Sequence, residues 1–384
     1  MLKLGPAVSV VRGVQSPDLE KIYRRAYDIA KAMDGGRGLF KSVWGLWHSA
    51  NTSGRTALAR DRAEELLALG KRSGEQDLIL EAFHCRWSTT FFRGDVLGAL
   101  AHGREGIKHY DHERHGRLGY EFGGHNPGAC AHAIVGGALA LLGNAREAAA
   151  SIERGIALVE TLNHTTSMAF VLMQAARVYA INGDRIALLR VTGRMIELAG
   201  ESDMPATRSI ATFFSAWANA VGDAISGGLA VMESEFPRAS KMHSLPQLPV
   251  CLLAGVRLEC GQAERALELL DSVSSMFKEP GVGIFLPEVQ RLRAECLLRL
   301  GPAHVDEAAR EFETAIATAR QQRAHLYHLR AAVSLAKLHR SASRDGEALA
   351  VLGPALDSFE PTSEFAEIRE ARAQWVELEA NARL

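Results

Sequence analysis

Seven glycines constrain this chain more than any other feature. Each is followed by one polar residue or a proline and then by an alanine- and leucine-rich run: Gly54-Arg55, Gly94-Asp95, Gly143-Asn144, Gly183-Asp184, Gly222-Asp223, Gly261-Gln262 and Gly301-Pro302. Successive glycines lie 40, 49, 40, 39, 39 and 40 residues apart. Self-similarity at such a period marks stacked supersecondary units. Glycine enters the left-handed conformation that ends a helix without steric penalty. An Asp or Asn after it can accept a hydrogen bond from a free N–H of the next helix. The period therefore predicts one unit per glycine: a first helix, a tight turn and a second helix.

The apolar spacing agrees. Second helices carry a single apolar stripe, as in Ala63, Leu66 and Leu67, in Ala148, Ile152 and Ile156, and in Ala308, Phe312, Ala315 and Ile316. First helices are apolar over more of their circumference, as in 83–92, 168–180 and 210–221, which suits rods with neighbours on two sides. Alternation of β-branched residues is almost absent. A two-helix unit of about 40 residues belongs with tetratricopeptide-type arrays, whose basic period is about 34. The expectation is an all-α chain, a TPR-like α-α superhelix (solenoid) of about eight helix pairs with capping helices. The pairs are expected at 38–52/55–72, 76–93/95–109, 127–142/144–161, 164–182/184–200, 204–221/223–236, 245–260/262–277, 285–300/304–322 and 324–341/344–358. A helix over 17–33, with Ser16 as its N-cap, and a polar one near 363–381 would close the ends. The chain reads as one domain over 1–384. An N-terminal cap spans 1–36, first repeats 37–110, an inserted loop 111–126, the remaining repeats 127–358 and a C-terminal cap 359–384. Softening is expected near 237–249 and 279–287.

A formal net charge of -1 gives no global attraction to nucleic acid or to an anionic membrane. The longest apolar run, 129–142, contains His132 and falls short of the roughly 20 residues a spanning helix needs. The N-terminus lacks a cleavage-site pattern. Neither a nucleic-acid nor a membrane partner is expected. Five cysteines stand far apart with no C-x-x-C, which suits buried thiols in a reducing cytoplasm.

The one long interval contains YDHERHGRLGYEFGGHNPGACAHAIVGGALALLG, residues 110–143. His102, His109, His112, His115, His125 and His132 crowd into 31 positions. No H-E-x-x-H or comparable ligand spacing accompanies them, so no metal and no other cofactor is expected. Trp44 and Trp47 share a helical face, either to line a groove for a partner or to pack between repeats. Asn126 is placed to cap a helix starting at Pro127. The candidate ligand- or partner-binding residues are Trp44, Trp47, Tyr110, Asp111, His115, Gly124, His125 and Asn126. Residues 35–42, GGRGLFKS, imitate a phosphate-binding loop, but Phe40 stands where that motif needs glycine. Cys130 near His125 and His132 is the nearest approach to a nucleophile with a base. No catalytic constellation emerges, and the chain is expected not to be an enzyme.

Three stretches carry a resemblance: GPAVSVVRGVQSPDLEKIYRRAYDIA, LFKSVWGLWHSANTSG and IKHYDHERHGRLGYEFGGHNPGACAHA. They look like the C-terminal tetratricopeptide-like region of large bacterial proteins that fuse a class III adenylate/guanylate cyclase domain to an AAA-type ATPase domain. The similarity runs from about Gly5 to Phe359, and its most specific parts are Val43 to Trp47 and 110–128. It implies a regulatory scaffold that binds a peptide or partner domain on its concave face, with a cyclase or AAA ATPase domain among the partners. The alternative is a sensor that holds a metabolite under the 110–127 loop. Residue 1 is Met, as expected of either a stand-alone relative or a truncated product. One departure stands out: the family's loop tends to G-H-D-P-G, whereas here it reads Gly124-His125-Asn126-Pro127-Gly128. The amide keeps a capping oxygen and loses a charge.

Overall fold

The computed structural model describes residues 17–33, 35–122, 124–240, 247–274, 282–361, 363 and 365–382. Ser16 and parts of the two segments expected to soften the array lie outside them. Among the described residues the chain is helical, with no strand. A first helix, α1 (Pro17–Ala32), precedes the pairs α2/α3 (Gly36–Thr52, Thr56–Ser73) and α4/α5 (Gln76–Arg93, Val96–His109). Two short helices, α6 (His112–His115) and α7 (Leu118–Phe122), occupy the stretch expected to be a loop. The array resumes with α8/α9 (Pro127–Leu141, Ala145–Leu162), α10/α11 (Thr165–Ile181, Arg185–Glu201) and α12/α13 (Pro205–Asn219, Ile225–Ala239). It continues with α14/α15 (Gln247–Glu259, Ala263–Ser274), α16/α17 (Leu286–Leu300, Val305–Gln322) and α18/α19 (His325–Ser341, Asp345–Leu356), and α20 (Ala366–Ala382) follows.

All seven recurrent glycines have positive φ, from +54° to +127°. At Gly94 the Asp95 N–H donates to Thr90 O at 3.1 Å and the Gly94 N–H to Phe91 O at 2.9 Å. This pair of bonds consumes carbonyls the helix end would leave bare, and it recurs at Gly54, Gly143, Gly183 and Gly261. Asp95 and Asp184 then cap the second helices, accepting from Gly98 N and Ala187 N. The last pair has no glycine at its turn. Ser343 takes the place, at φ +56°.

A continuous apolar core runs from Phe40 to Tyr327. Its middle is α8, where every residue except His132 is buried. Three glycines let neighbours come close to that rod. A Cβ at Gly128 would fall 2.6 Å from the Tyr110 ring, and one at Gly137 would fall 2.9 Å from Phe91.

The array also closes back on itself. Gly283 N donates to Arg93 O at 3.2 Å, and Gln322 Nε2 to Gly283 O at 2.9 Å. Arg330 donates to Ile181 O at 2.7 Å while also gripping Glu367. A Cβ at Gly143 would overlap the Phe359 ring. The last repeats thus lie against the hairpin turns of the second, third and fourth. No helix among the described residues is long and apolar enough to cross a membrane.

Candidate functional site

The widened interval lies where α2, α4, α8 and α10 meet. Helix α7 ends in Phe122, which packs edge-on against Phe40 and at 5.5 Å against Trp44. Its outer side is clamped by charge. Arg37 reaches Glu121 at 2.7 Å and pairs with Glu75, and Lys41 meets Glu121 at 2.9 Å. Arg114 meets Asp77 at 2.8 Å. Burial works against the charged form of Glu121, but Lys41 and Arg37 hold its carboxyl below the usual range. Arg114 and Arg37 do the same for Asp77.

Inside that clamp, Asp111 caps α6 by accepting from Arg114 N at 2.8 Å, and its own N–H donates to His115 Nδ1 at 2.9 Å. Asn126 is fully buried. Its Oδ1 accepts from Ala129 N at 3.1 Å and so caps α8. Its Nδ2 donates to Tyr110 Oη at 3.1 Å, His115 O at 3.3 Å and Gly116 O at 3.4 Å. Its backbone N–H donates to Ser167 Oγ at 2.8 Å. An aspartate would keep the cap and set a carboxylate against two carbonyls. The amide at this position is therefore used at both ends.

Deeper lies a second polar group. Trp44 Nε1 donates to Glu81 Oε2 at 3.1 Å, and Trp47 Nε1 to Thr89 Oγ1 at 2.8 Å. Glu81 Oε2 also lies 3.0 Å from His84 Nδ1, and His84 Nε2 lies 3.1 Å from His125 Nε2. Cys130 Sγ receives Trp87 Nε1 at 3.5 Å and lies 3.6 Å from Ser88 Oγ. His125 stacks flat on Phe170, with centroids 3.5 Å apart. Burial, followed by the neighbouring His84 and His48, pushes His125 well below its ordinary pKa. Burial and His84 push His48 down to about 4. For His84 burial is outweighed by Cys130 and Glu81, which hold it up at about 10.

The structure thus brings all eight candidate residues together around one joint. Trp44, Trp47, His115 and Asn126 are buried, and His125 is half-buried. A Cβ at Gly124 would lie 3.2 Å from the Trp44 ring. Cys130 is buried too, out of reach of a substrate. Sequence reading missed Glu81 and His84. Their signal was present: an acid and an imidazole three residues apart in the apolar-rich run Leu78 to Cys85.

A separate cleft of about 1810 Å³ opens where the hairpin turns at 142–147 and 179–184 face α19, α20 and the segment between them. Phe359, Phe365 and Trp375 supply apolar walls. Four carboxylates line it, Glu147, Asp184, Asp357 and Glu360, against two guanidinium groups, Arg146 and Arg372. Arg372 is spent on the wall itself, donating to Pro361 O at 2.8 Å and Glu360 O at 2.7 Å. None of the eight candidate residues lines this cleft.

No protein family's sequence profile matches this chain. An uncharacterised protein of Rhizobium meliloti (strain 1021) is 26% identical over 339 residues, covering 87% of this chain and 33% of that protein. The chain thus spans about a third of the length of the curated relative it matches. Among solved structures, NprR in complex with its cognate peptide NprX superposes with a TM-score of 0.54 at 11% identity, over 88% of this chain and 98% of that one. Rap protein complexed with Competence and Sporulation Factor gives 0.52 at 12% identity, over 89% and 98%. The human IFIT1 dimer with m7Gppp-AAAA gives 0.52 at 14% identity, over 93% and 76%. These likenesses show the fold: a tetratricopeptide-like helical-repeat solenoid.

Proposed function

We propose that this chain is a non-enzymatic interaction module of a bacterial signalling system and that it holds an extended, basic peptide segment in the cleft between its hairpin turns and its last helices. The cleft carries the reading. At about 1810 Å³ it exceeds the roughly 300–1,000 Å³ that enclose a small metabolite. Its four carboxylates against two guanidinium groups suit a cationic ligand and oppose a nucleic acid. That NprR, of like fold, was solved with a peptide supports the choice. The resemblance to cyclase–ATPase fusion proteins supports a cyclase or AAA ATPase domain as the source of the segment.

Fluorescence anisotropy with labelled basic, neutral and acidic peptides tests this. Basic peptides should bind, more weakly at high salt. Reversing Glu147, Asp184 and Glu360 together to lysine should weaken them by on the order of 10-fold or more, at up to about 1 kcal/mol for each exposed charge. Binding that ignores peptide charge, or survives the reversal, contradicts the reading. A thermal-shift screen of metabolites addresses the sensor alternative, since a ligand specific to the native state raises its melting temperature.

A further inference from the structure

We infer that His84, His125 and Cys130 form a binding site for one zinc ion, which goes beyond the scaffold reading and does not depend on it. Three elements supply the donors: α4, the end of the inserted segment and the first turn of α8. One ring nitrogen each of His84 and His125 and the Cys130 Sγ all lie within 4.8 Å of one another. In a tetrahedral zinc site, with Zn–N near 2.0 Å and Zn–S near 2.3 Å, ligand atoms stand roughly 3.3–3.6 Å apart. The two imidazole nitrogens are already at 3.1 Å. The sulfur needs to come in by about 1.5 Å at most.

The surroundings are those of a metal-bound histidine. A ligating imidazole usually gives its second N–H to a carboxylate, which fixes the tautomer and turns the other nitrogen's lone pair to the metal. Glu81 Oε2 sits 3.0 Å from His84 Nδ1, and Trp44 Nε1 holds the same oxygen. The other oxygen of this buried carboxylate, Oε1, has no hydrogen-bond partner. Phe170 fixes the plane of His125, whose Nε2 faces His84 Nε2. Two nitrogens and a thiolate select zinc over magnesium or calcium, which prefer oxygen.

The burial of His84 and Cys130 makes this a structural site rather than a catalytic one. The ion would tie the inserted segment to α4 and α8 where the repeat is interrupted. Ser88 Oγ or a water completes the coordination. Binding releases the thiol proton and any proton on His84, so affinity rises with pH.

The full-length protein, stripped with chelator, is titrated with zinc against a chromophoric chelator and separately with cobalt(II). The expected result is one equivalent per chain, a thiolate-to-cobalt charge-transfer band, and a melting temperature that climbs with zinc concentration. Glu81→Gln should weaken binding by about 10- to 100-fold, and Cys130→Ser and His125→Ala by more. Cys260→Ser, at a half-exposed thiol, should leave the titration unchanged. No stoichiometric zinc, or a cobalt spectrum untouched by Cys130→Ser, overturns the site and leaves a proton shared between two histidines. Should Cys130→Ser fail to fold, the wild-type spectrum decides alone: absence of the thiolate band overturns the assignment.

Discussion

Two joints of the same array are built in opposite ways. Between α11 and α12 the chain needs only Ser202 to Met204, and the core beneath is mainly apolar, with Met195, Phe213, Phe214 and Met232, its buried polar groups being the hydroxyls of Thr192, Thr207 and Ser209. Between α5 and α8 it runs from Tyr110 to Asn126 and folds two extra helices on the way. The core there holds Glu81, His84, His115 and Asn126. Apolar burial is non-directional and tolerates swaps that keep volume. A buried polar network is specific, and any one missing partner exposes the rest to the cost of an unmade bond. The first joint repeats a general solution, whereas the second is written residue by residue.

The sharpest contrast is between Asn126→Asp and Met195→Leu. The first sets a buried charge against two carbonyls and should cost about 3 kcal/mol or more. The second conserves volume and should cost under about 1.5 kcal/mol. Urea denaturation of the two variants compares them directly, and equal losses would erase the distinction.

Acid should separate the joints next. His48 and His125 have folded pKa values below their unfolded ones. Such groups stabilise above the unfolded value, near 6.5, and lose that contribution as pH falls toward the folded value. For His48 alone, lowered to about 4, the loss at pH 5 is about 1–2 kcal/mol, the lower end allowing for its partial exposure. His84 has the opposite sign. Its pKa is raised to about 10, so its contribution is full below about 6.5 and fades as pH rises toward 10. Residues 165–240 contain no histidine. Hydrogen exchange at pH 5 against pH 7 should therefore show α4, α7 and α8 opening before α11 and α12. Uniform loosening would refute this.

Two smaller effects concern the helix ends of the regular hairpins. Asp184→Ala removes an exposed cap from α11 and should cost about 1 kcal/mol, well short of the Asn126 variant. Ser343→Gly relieves a left-handed non-glycine residue and should raise stability by about 0.5 kcal/mol, the steric gain partly offset by chain entropy. Thermal melts resolve both.

The hairpins were legible because their signal is local. A glycine at φ > 0 and an apolar stripe are both contained in one unit. The eighth turn carried no such mark, because Ser343 takes a conformation its residue type does not advertise. The helices α6 and α7 have only 4 and 5 residues, too few for a periodicity that needs a window of about 11. His84 and His125 are 41 positions apart, so their meeting depends on the stacking of two units. Asn126 was legible as a cap because Pro127 marks the helix start. Its second role depended on where Tyr110 and His115 would lie. The cleft was the least legible of all, since it exists only because the coiled array brings residues near 360 back to the turn at Gly143.

The most direct test of the scaffold account is hydrogen exchange of the full chain with and without a saturating basic peptide. The account predicts added protection at 142–149, 179–184 and 349–375, with none at 110–126. Protection confined to 110–126, or no change anywhere, would contradict it.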